Sequence, residues 1–91
     1  MIGVYIESAS MTVEQYKAVD ERLRSAVGGA IEGLMLHTCF HSGDGLAIFD
    51  VWESQEAFEA LGSKLMPIVQ EVGAELSPPQ FVEMIAYEVA E

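Results

Sequence analysis

The chain has 91 residues, enough for one domain but too few to bury a large core unaided. Its formal net charge is −11, from four Lys and Arg against 15 Asp and Glu, so phosphate backbones and anionic bilayers would repel it. Although 51% of the residues are hydrophobic, no apolar run reaches the ~18 residues of a membrane span, and neither nucleic-acid nor membrane binding is expected.

The N-terminal third predicts a strand and a helix. Residues 2–7 alternate in type, as strands with two different faces do. Thr12 followed by Gln15 is a capping-box pattern, in which the hydroxyl accepts an orphan N–H and the glutamine reaches back. The helix should end at the glycine pair 28–29. Its spacing predicts a buried stripe of Val13, Tyr16, Val19 and Leu23.

Two strand-like runs follow, 33–41 and 46–53, and the Ser-Gly-Asp-Gly turn at 42–45 predicts that they form a hairpin. We expect the register in which the numbers of two paired residues sum to 87, as for His37 and Asp50. In this register the side chains separate into two sets, one for each face of the hairpin, and a one-residue slip would mix them. The set expected beneath the helices is Leu36, Thr38, Phe40, Ala47, Phe49 and Val51. The set expected on the opposite face is Met35, His37, Cys39 and His41, facing Trp52, Asp50, Ile48 and Leu46.

A second helix and a last strand complete the chain. Ser54 is the expected N-cap, Gly73 the expected end, and Pro67 predicts a kink or a break because it cannot donate to residue 63. The buried stripe is expected to be Phe58, Leu61, Leu65, Ile68 and Val72. The last strand is predicted over 81–89. Its helix side would carry Val82, Met84 and Ala86, and its other side Glu83, Ile85, Tyr87 and Val89.

The order β-α-β-β-α-β predicts an α+β, ferredoxin-like split βαβ fold, a four-stranded antiparallel sheet with two helices on one face. On the first strand, Ile2, Val4 and Ile6 should face the helices, leaving Gly3, Tyr5 and Glu7 on the bare face. That face would be too apolar for water. We therefore expect a homodimer through the bare face, an α/β barrel enclosing a pocket for a small organic ligand.

The segment 50–58, Asp-Val-Trp-Glu-Ser-Gln-Glu-Ala-Phe, closes a strand and opens a helix. It resembles the dimeric α/β-barrel superfamily, particularly antibiotic-biosynthesis-monooxygenase-like domains, and the strand order agrees over nearly all 91 residues. The resemblance implies a cofactor-independent monooxygenase acting on quinol-like aromatics, a haem-degrading enzyme, a stress-responsive protein or a domain without known activity. The haem-degrading pattern fits poorly, because Gly3 or Tyr5 replaces its first-strand asparagine and no histidine follows His41.

His37 and Asp50 are predicted to lie opposite each other on the hairpin, with Cβ atoms about 4.5–5.5 Å apart. A carboxylate that accepts one imidazole N–H raises the basicity of the other nitrogen, so the pair could act as a general base on a phenol or hydroquinone. The alternative interpretation is a satisfied polar pair buried under the dimer interface.

Six further residues share the predicted pocket. Trp52 could stack on an aromatic substrate or fill the core, and Tyr5 and Tyr87 could donate to a ligand oxygen or reach solvent. Apolar or soft walls are expected from Ile48, Met35 and Cys39. His37, Cys39 and His41 alternate on one strand and would point the same way, so they could also share a metal ion. The fourth ligand that such a site needs is not evident.

We therefore expect one domain over residues 1–91, with no cofactor and no metal. No basic segment precedes a long apolar core in residues 1–10, and the single cysteine suits a reducing cytoplasm. Two functions stay open: a cofactor-free monooxygenase on an aromatic or polyketide-like molecule, and a non-catalytic dimeric binding or structural module.

Overall fold

The computed structural model describes residues 1–90. Its elements are β1 (Ile2–Ser8), α1 (Val13–Val27), β2 (Leu34–Ser42), β3 (Gly45–Trp52), α2 (Gln55–Val72) and β4 (Gln80–Glu83). The strands form one antiparallel sheet in the order β2-β3-β1-β4, so the predicted α+β, ferredoxin-like layout is confirmed. Within the described residues, no helix is long and apolar enough to cross a membrane.

The helix boundaries follow the capping residues. Thr12 accepts from the backbone N–H of Gln15, whose side chain accepts from the Thr12 N–H, which completes the capping box. Ser54 caps α2 in the same manner through Ala57 N–H. Both helices end at a glycine in the left-handed conformation, Gly28 and Gly73, which a side chain would strain. Despite Pro67, α2 continues to Val72, so the expected break is not observed.

The predicted hairpin register is confirmed over most of its length. His37 pairs with Asp50, and Cys39 with Ile48, as the sum of 87 requires. The register shifts near the open end, where Leu34 rather than Met35 pairs with Trp52. Met35 is therefore an extra residue in β2, and a bulge of this kind bends the strand and turns the neighbouring side chains.

The prediction of which hairpin face lies beneath the helices was wrong. Trp52 packs edge-on against Phe58 of α2, with ring centroids 5.7 Å apart, and His37 contacts Tyr16 of α1. The set containing His37, Asp50 and Trp52 therefore lies between the sheet and the helices. Phe49 lies on the opposite face, since a Cβ placed on Gly3 would approach its ring to 2.9 Å.

The pairing of β1 with β3 explains this inversion. Ile2 pairs with Trp52 and Val4 with Asp50, so even-numbered residues of both strands share a face. Val4 is fully buried beneath α2, in the same cluster as Trp52 and Phe58, as the sequence predicted for β1. Once β1 faces the helices, this register turns Asp50 and Trp52 the same way. Both hairpin faces carry large apolar side chains, so the hairpin alone leaves the orientation open.

The last strand is shorter than predicted and is also turned over. β4 ends at Glu83, not near residue 89. Phe81 packs on Phe58 at 5.7 Å between ring centroids, so Phe81 rather than Val82 is on the helix side. After β4, Tyr87 donates a hydrogen bond to the Met35 carbonyl at the far edge of the sheet. The C-terminal segment therefore leaves its strand and crosses to the other edge of the sheet.

Candidate functional site

A chain of hydrogen bonds runs through the space between the sheet and α1. Nδ1 of His37 lies 2.7 Å from Oδ1 of Asp50, and Nε2 lies 2.5 Å from the hydroxyl of Tyr16. Trp52 donates its indole N–H to the other carboxylate oxygen at 3.3 Å. The register of β2 and β3 places His37 beside Asp50. Tyr16 of α1 contacts His37 from the helix side, with the two rings stacked. The order is therefore Trp52, Asp50, His37, Tyr16.

The surroundings make His37 a stronger base than a free imidazole. The hydrogen bond that His37 donates to the Asp50 carboxylate raises the pKa of His37 above its ordinary 6.5, and this outweighs burial, which opposes the charged form. Burial raises the pKa of Tyr16 to about 12, so the phenol keeps its proton at neutral pH. The side chain of Asp50 is only 10% exposed and that of His37 is 26% exposed. Because Tyr16 keeps its proton, neutral His37 accepts from the Tyr16 hydroxyl at Nε2 and donates its Nδ1–H to Asp50.

This chain borders a cavity between the helices and the sheet. Its volume is about 60 Å³, small beside the roughly 300–1,000 Å³ of most ligand pockets. The wall is mainly apolar and includes Ile6, Val19, Leu34, Ile48, Leu65 and Val69. Tyr16, Asp20, Arg24, His37 and Asp50 supply the polar part of the wall. An apolar cavity with a few convergent polar groups strengthens electrostatic interactions inside it and fits a small organic molecule.

Four of the residues singled out from the sequence meet at this cavity: His37, Asp50, Trp52 and Ile48. They lie inside the monomer, beneath the helices, rather than on the bare face where they were expected. Cys39 is on the same side of the sheet but packs beside the Leu46 cluster, where burial raises the pKa of its thiol. Its surroundings are those of a small hydrophobic residue.

The other three predicted substrate-binding residues are not brought to this cavity. Tyr5 pairs with Phe49 on the opposite face of the sheet and donates to Glu7 at 2.6 Å. Met35 is the half-exposed bulge residue, and Tyr87 binds its backbone carbonyl. The expectation that these residues share one pocket with His37 was therefore wrong, and its cause is the inverted face.

Tyr16, Asp20 and Arg24 were not identified as site residues from the sequence. Tyr16 was predicted only as a buried helix residue. They follow one another at four-residue spacing on α1 and line the cavity together. A tyrosine on an otherwise apolar stripe was the available signal, because its hydroxyl needs a partner when buried.

Metal binding gains no support from the geometry. Among residues 1–90, no group of three or more His, Cys, Asp or Glu side chains is placed to hold a metal ion. His37 is instead engaged on both ring nitrogens, and His41 is exposed beside the hairpin turn. The arrangement suits proton transfer, with a buried carboxylate, an imidazole and a phenol in series.

Solved structures with the same fold include oxygenases and proteins of unknown function. SnoaB, a cofactor-independent oxygenase from Streptomyces nogalater, is 13% identical, with a TM-score of 0.63 over 94% of this chain and 93% of its own. A protein described as an antibiotic biosynthesis monooxygenase is 12% identical, with a TM-score of 0.60 over 97% and 100% of the chains. NE2512 of Nitrosomonas europaea, of unknown function, is 19% identical, with a TM-score of 0.59 over 99% and 94%. No protein-family model and no curated protein sequence matches the chain.

Proposed function

We propose that the protein is a cofactor-independent monooxygenase acting on a compact organic molecule with an acidic C–H or O–H group. The observation that carries this proposal is the Asp50–His37–Tyr16 hydrogen-bonded chain at the wall of an apolar cavity. The fold shared with a cofactor-independent oxygenase agrees with it. Because shared fold does not imply shared function, the proposed activity rests on the residues of the site itself.

The first step is removal of a proton from the substrate. The hydroxyl of Tyr16 occupies Nε2 of His37, so the proton reaches the histidine through that hydroxyl. The tyrosine oxygen accepts the substrate proton as its own proton passes to Nε2. Asp50 holds Nδ1–H and stabilises the imidazolium that forms. The substrate anion is left in a largely apolar cavity, where it can transfer an electron to dioxygen.

The oxygen chemistry then balances without a cofactor. For an activated methylene, the anion and dioxygen combine to a peroxide, which takes back the proton held by His37. Loss of water from that hydroperoxide leaves a carbonyl, so R₂CH₂ and O₂ give R₂C=O and H₂O. A hydroquinone likewise takes one oxygen atom, giving a hydroxyquinone and water. The protein supplies the base, the orientation and the exclusion of water.

A non-catalytic binding module is the second candidate, and the size of the cavity favours it. At about 60 Å³ the cavity has room for a very small ligand or a few waters. The same hydrogen bonds would then satisfy polar groups that burial would otherwise leave unpaired. A substrate with one ring, partly within the mouth of the cavity, is compatible with the first candidate. A polycyclic substrate is not compatible with it, because the cavity is too small.

Oxygen uptake tests the proposal. The protein should accelerate oxygen consumption by hydroquinone or 2-methylhydroquinone, and should place one ¹⁸O atom from ¹⁸O₂ in the product. His37→Gln should lower the rate by roughly 10²–10⁴-fold, the usual contribution of a general base. His41→Gln is the matched control, because His41 is exposed at the hairpin and should leave the rate unchanged. Equal rates with and without the protein, or equal loss in both variants, would contradict the proposal.

A further inference from the structure

The polar part of the cavity wall lies on one side, where α1 crosses the edge strand β2. Tyr16, Asp20 and Arg24 come from one face of α1, and His37 comes from β2. The side chains of Asp20 and Arg24 are 34% and 45% exposed, so water reaches this side. The opposite wall, formed by α2 and the central strands, is mainly apolar. The mouth of the cavity is therefore charged, and its interior is apolar except for Asp50, His37 and Tyr16.

Arg24 has hydrogen-bonding capacity to spare at this mouth. Its Nε–H lies 3.2 Å from both carboxylate oxygens of Asp20, one turn earlier in α1. Among residues 1–90, no side chain or backbone carbonyl accepts from its two terminal nitrogens, which carry four of the five guanidinium donors. Asp20 holds the guanidinium in place and leaves free the edge that binds carboxylates in a bidentate manner.

The charge of the molecule makes the position of Arg24 informative. The chain carries only four Lys and Arg and a net charge of −11, so its surface repels anions. In the described part of the chain, Arg24 is the one Lys or Arg that lines this cavity. An anionic ligand that approached the site would therefore meet the Arg24 guanidinium at the mouth of the cavity.

We propose that the site takes a compact organic acid, whose carboxylate binds the terminal nitrogens of Arg24 while its reacting group lies against Tyr16 and His37. This inference rests on the proposed function of the same cavity and names the substrate class. The contact with Asp20 places the guanidinium about one helical turn, roughly 5.4 Å, beyond the level of Tyr16. A carboxylate and an acidic group on opposite ends of one six-membered ring span a similar distance.

Two probes of the same shape test the inference, 4-hydroxybenzoate and the neutral 4-hydroxybenzamide. Binding is measured by titration calorimetry on the whole protein at neutral pH. The acid should bind on the order of tenfold more tightly than the amide, the size of effect expected of a charge-assisted hydrogen-bonded pair. Arg24→Gln should remove that preference and leave the affinity for the amide and the melting temperature close to those of the natural protein.

Arg22→Gln is the matched control, with the same change of charge two residues earlier in α1. Arg22 pairs with Glu71 at 3.6 Å on the exposed side, away from the cavity, so its loss should keep the preference for the acid. Equal binding of both probes, failure of the acid to bind at millimolar concentration, or equal effects of both variants would overturn the inference. Oxygen uptake with neutral substrates would meanwhile leave the proposed function standing. A preference for the acid without oxygen uptake would overturn only the proposed function.

Discussion

Asp50 determines both the orientation and the basicity of His37. It accepts from His37 on one oxygen and from Trp52 on the other, so the carboxylate cannot rotate without breaking a buried contact. The imidazole is fixed in turn, with Nε2 directed at Tyr16. Since the phenol of Tyr16 has a pKa of about 12, it keeps its proton over the ordinary pH range and donates to His37 whenever the imidazole is neutral. A proton can therefore pass along a chain whose members already have the required orientation.

The raised pKa of His37 predicts a pH-dependent contribution to stability. The folded state holds the His37 proton more tightly than the unfolded state, in which the pKa of His37 is about 6.5. The resulting stabilisation is fully present below about pH 6.5 and is lost as the pH rises through the folded pKa. Urea unfolding between about pH 5.5 and 8.5 should show the natural protein losing stability relative to His37→Gln as the pH rises. His41→Gln should follow the natural protein throughout. A difference that is constant, or grows with pH, would show that the proton is not held in this way.

Among the elements, the helices were predictable from short-range chemistry. Thr12 with Gln15, Ser54, and the glycines at 28 and 73 are local signals, and each is found where the sequence placed it. The buried stripes were predicted less accurately: Val13, expected to be buried, is 37% exposed at the first turn of α1. A helix terminus depends on its neighbours in sequence, whereas burial depends on what packs against it.

The sheet was predictable in order and register but not in orientation. His37 opposite Asp50 follows from the hairpin turn and the period of two. Which face meets the helices depends on the pairing of Val4 with Asp50, a contact between strands far apart in sequence. That pairing also decides the candidate site, because it turns Asp50 inward to Trp52 and His37. Local patterns do not determine it, because both hairpin faces carry large apolar side chains.

The sheet face opposite the helices is only partly covered. The C-terminal segment crosses to Met35, and Val51 is 1% exposed. Phe40 and Val82 on this face are 46% and 48% exposed, however, and Ile85 beyond β4 is 94% exposed. Large apolar groups exposed together favour a surface that a second protein covers.

We therefore propose that the protein is a homodimer through this face, although the candidate site lies within each monomer. Sedimentation equilibrium at micromolar concentration should give about twice the 9.9 kDa chain mass. Phe40→Asp should place two charges against apolar surface across the dimer axis and shift the protein towards monomers. Val13→Asp, a similar change at an exposed position on α1, should leave the mass at the dimer value. A natural protein that sediments as a monomer would contradict the proposal.

If His37 and Asp50 act together as the base, a double-mutant cycle on turnover should show it. Rates are measured per folded molecule for His37→Gln, Asp50→Asn and the double variant, with whichever of hydroquinone and 2-methylhydroquinone the natural protein oxidises faster. Asp44→Asn, at the exposed hairpin turn, controls for the change of charge. Each single change at the site should remove most of the turnover, and the double variant should lose little more, because residues that act as a unit are not additive. If the variants instead melt at lower temperature and turn over at the natural rate, the pair is structural and the account of catalysis is wrong.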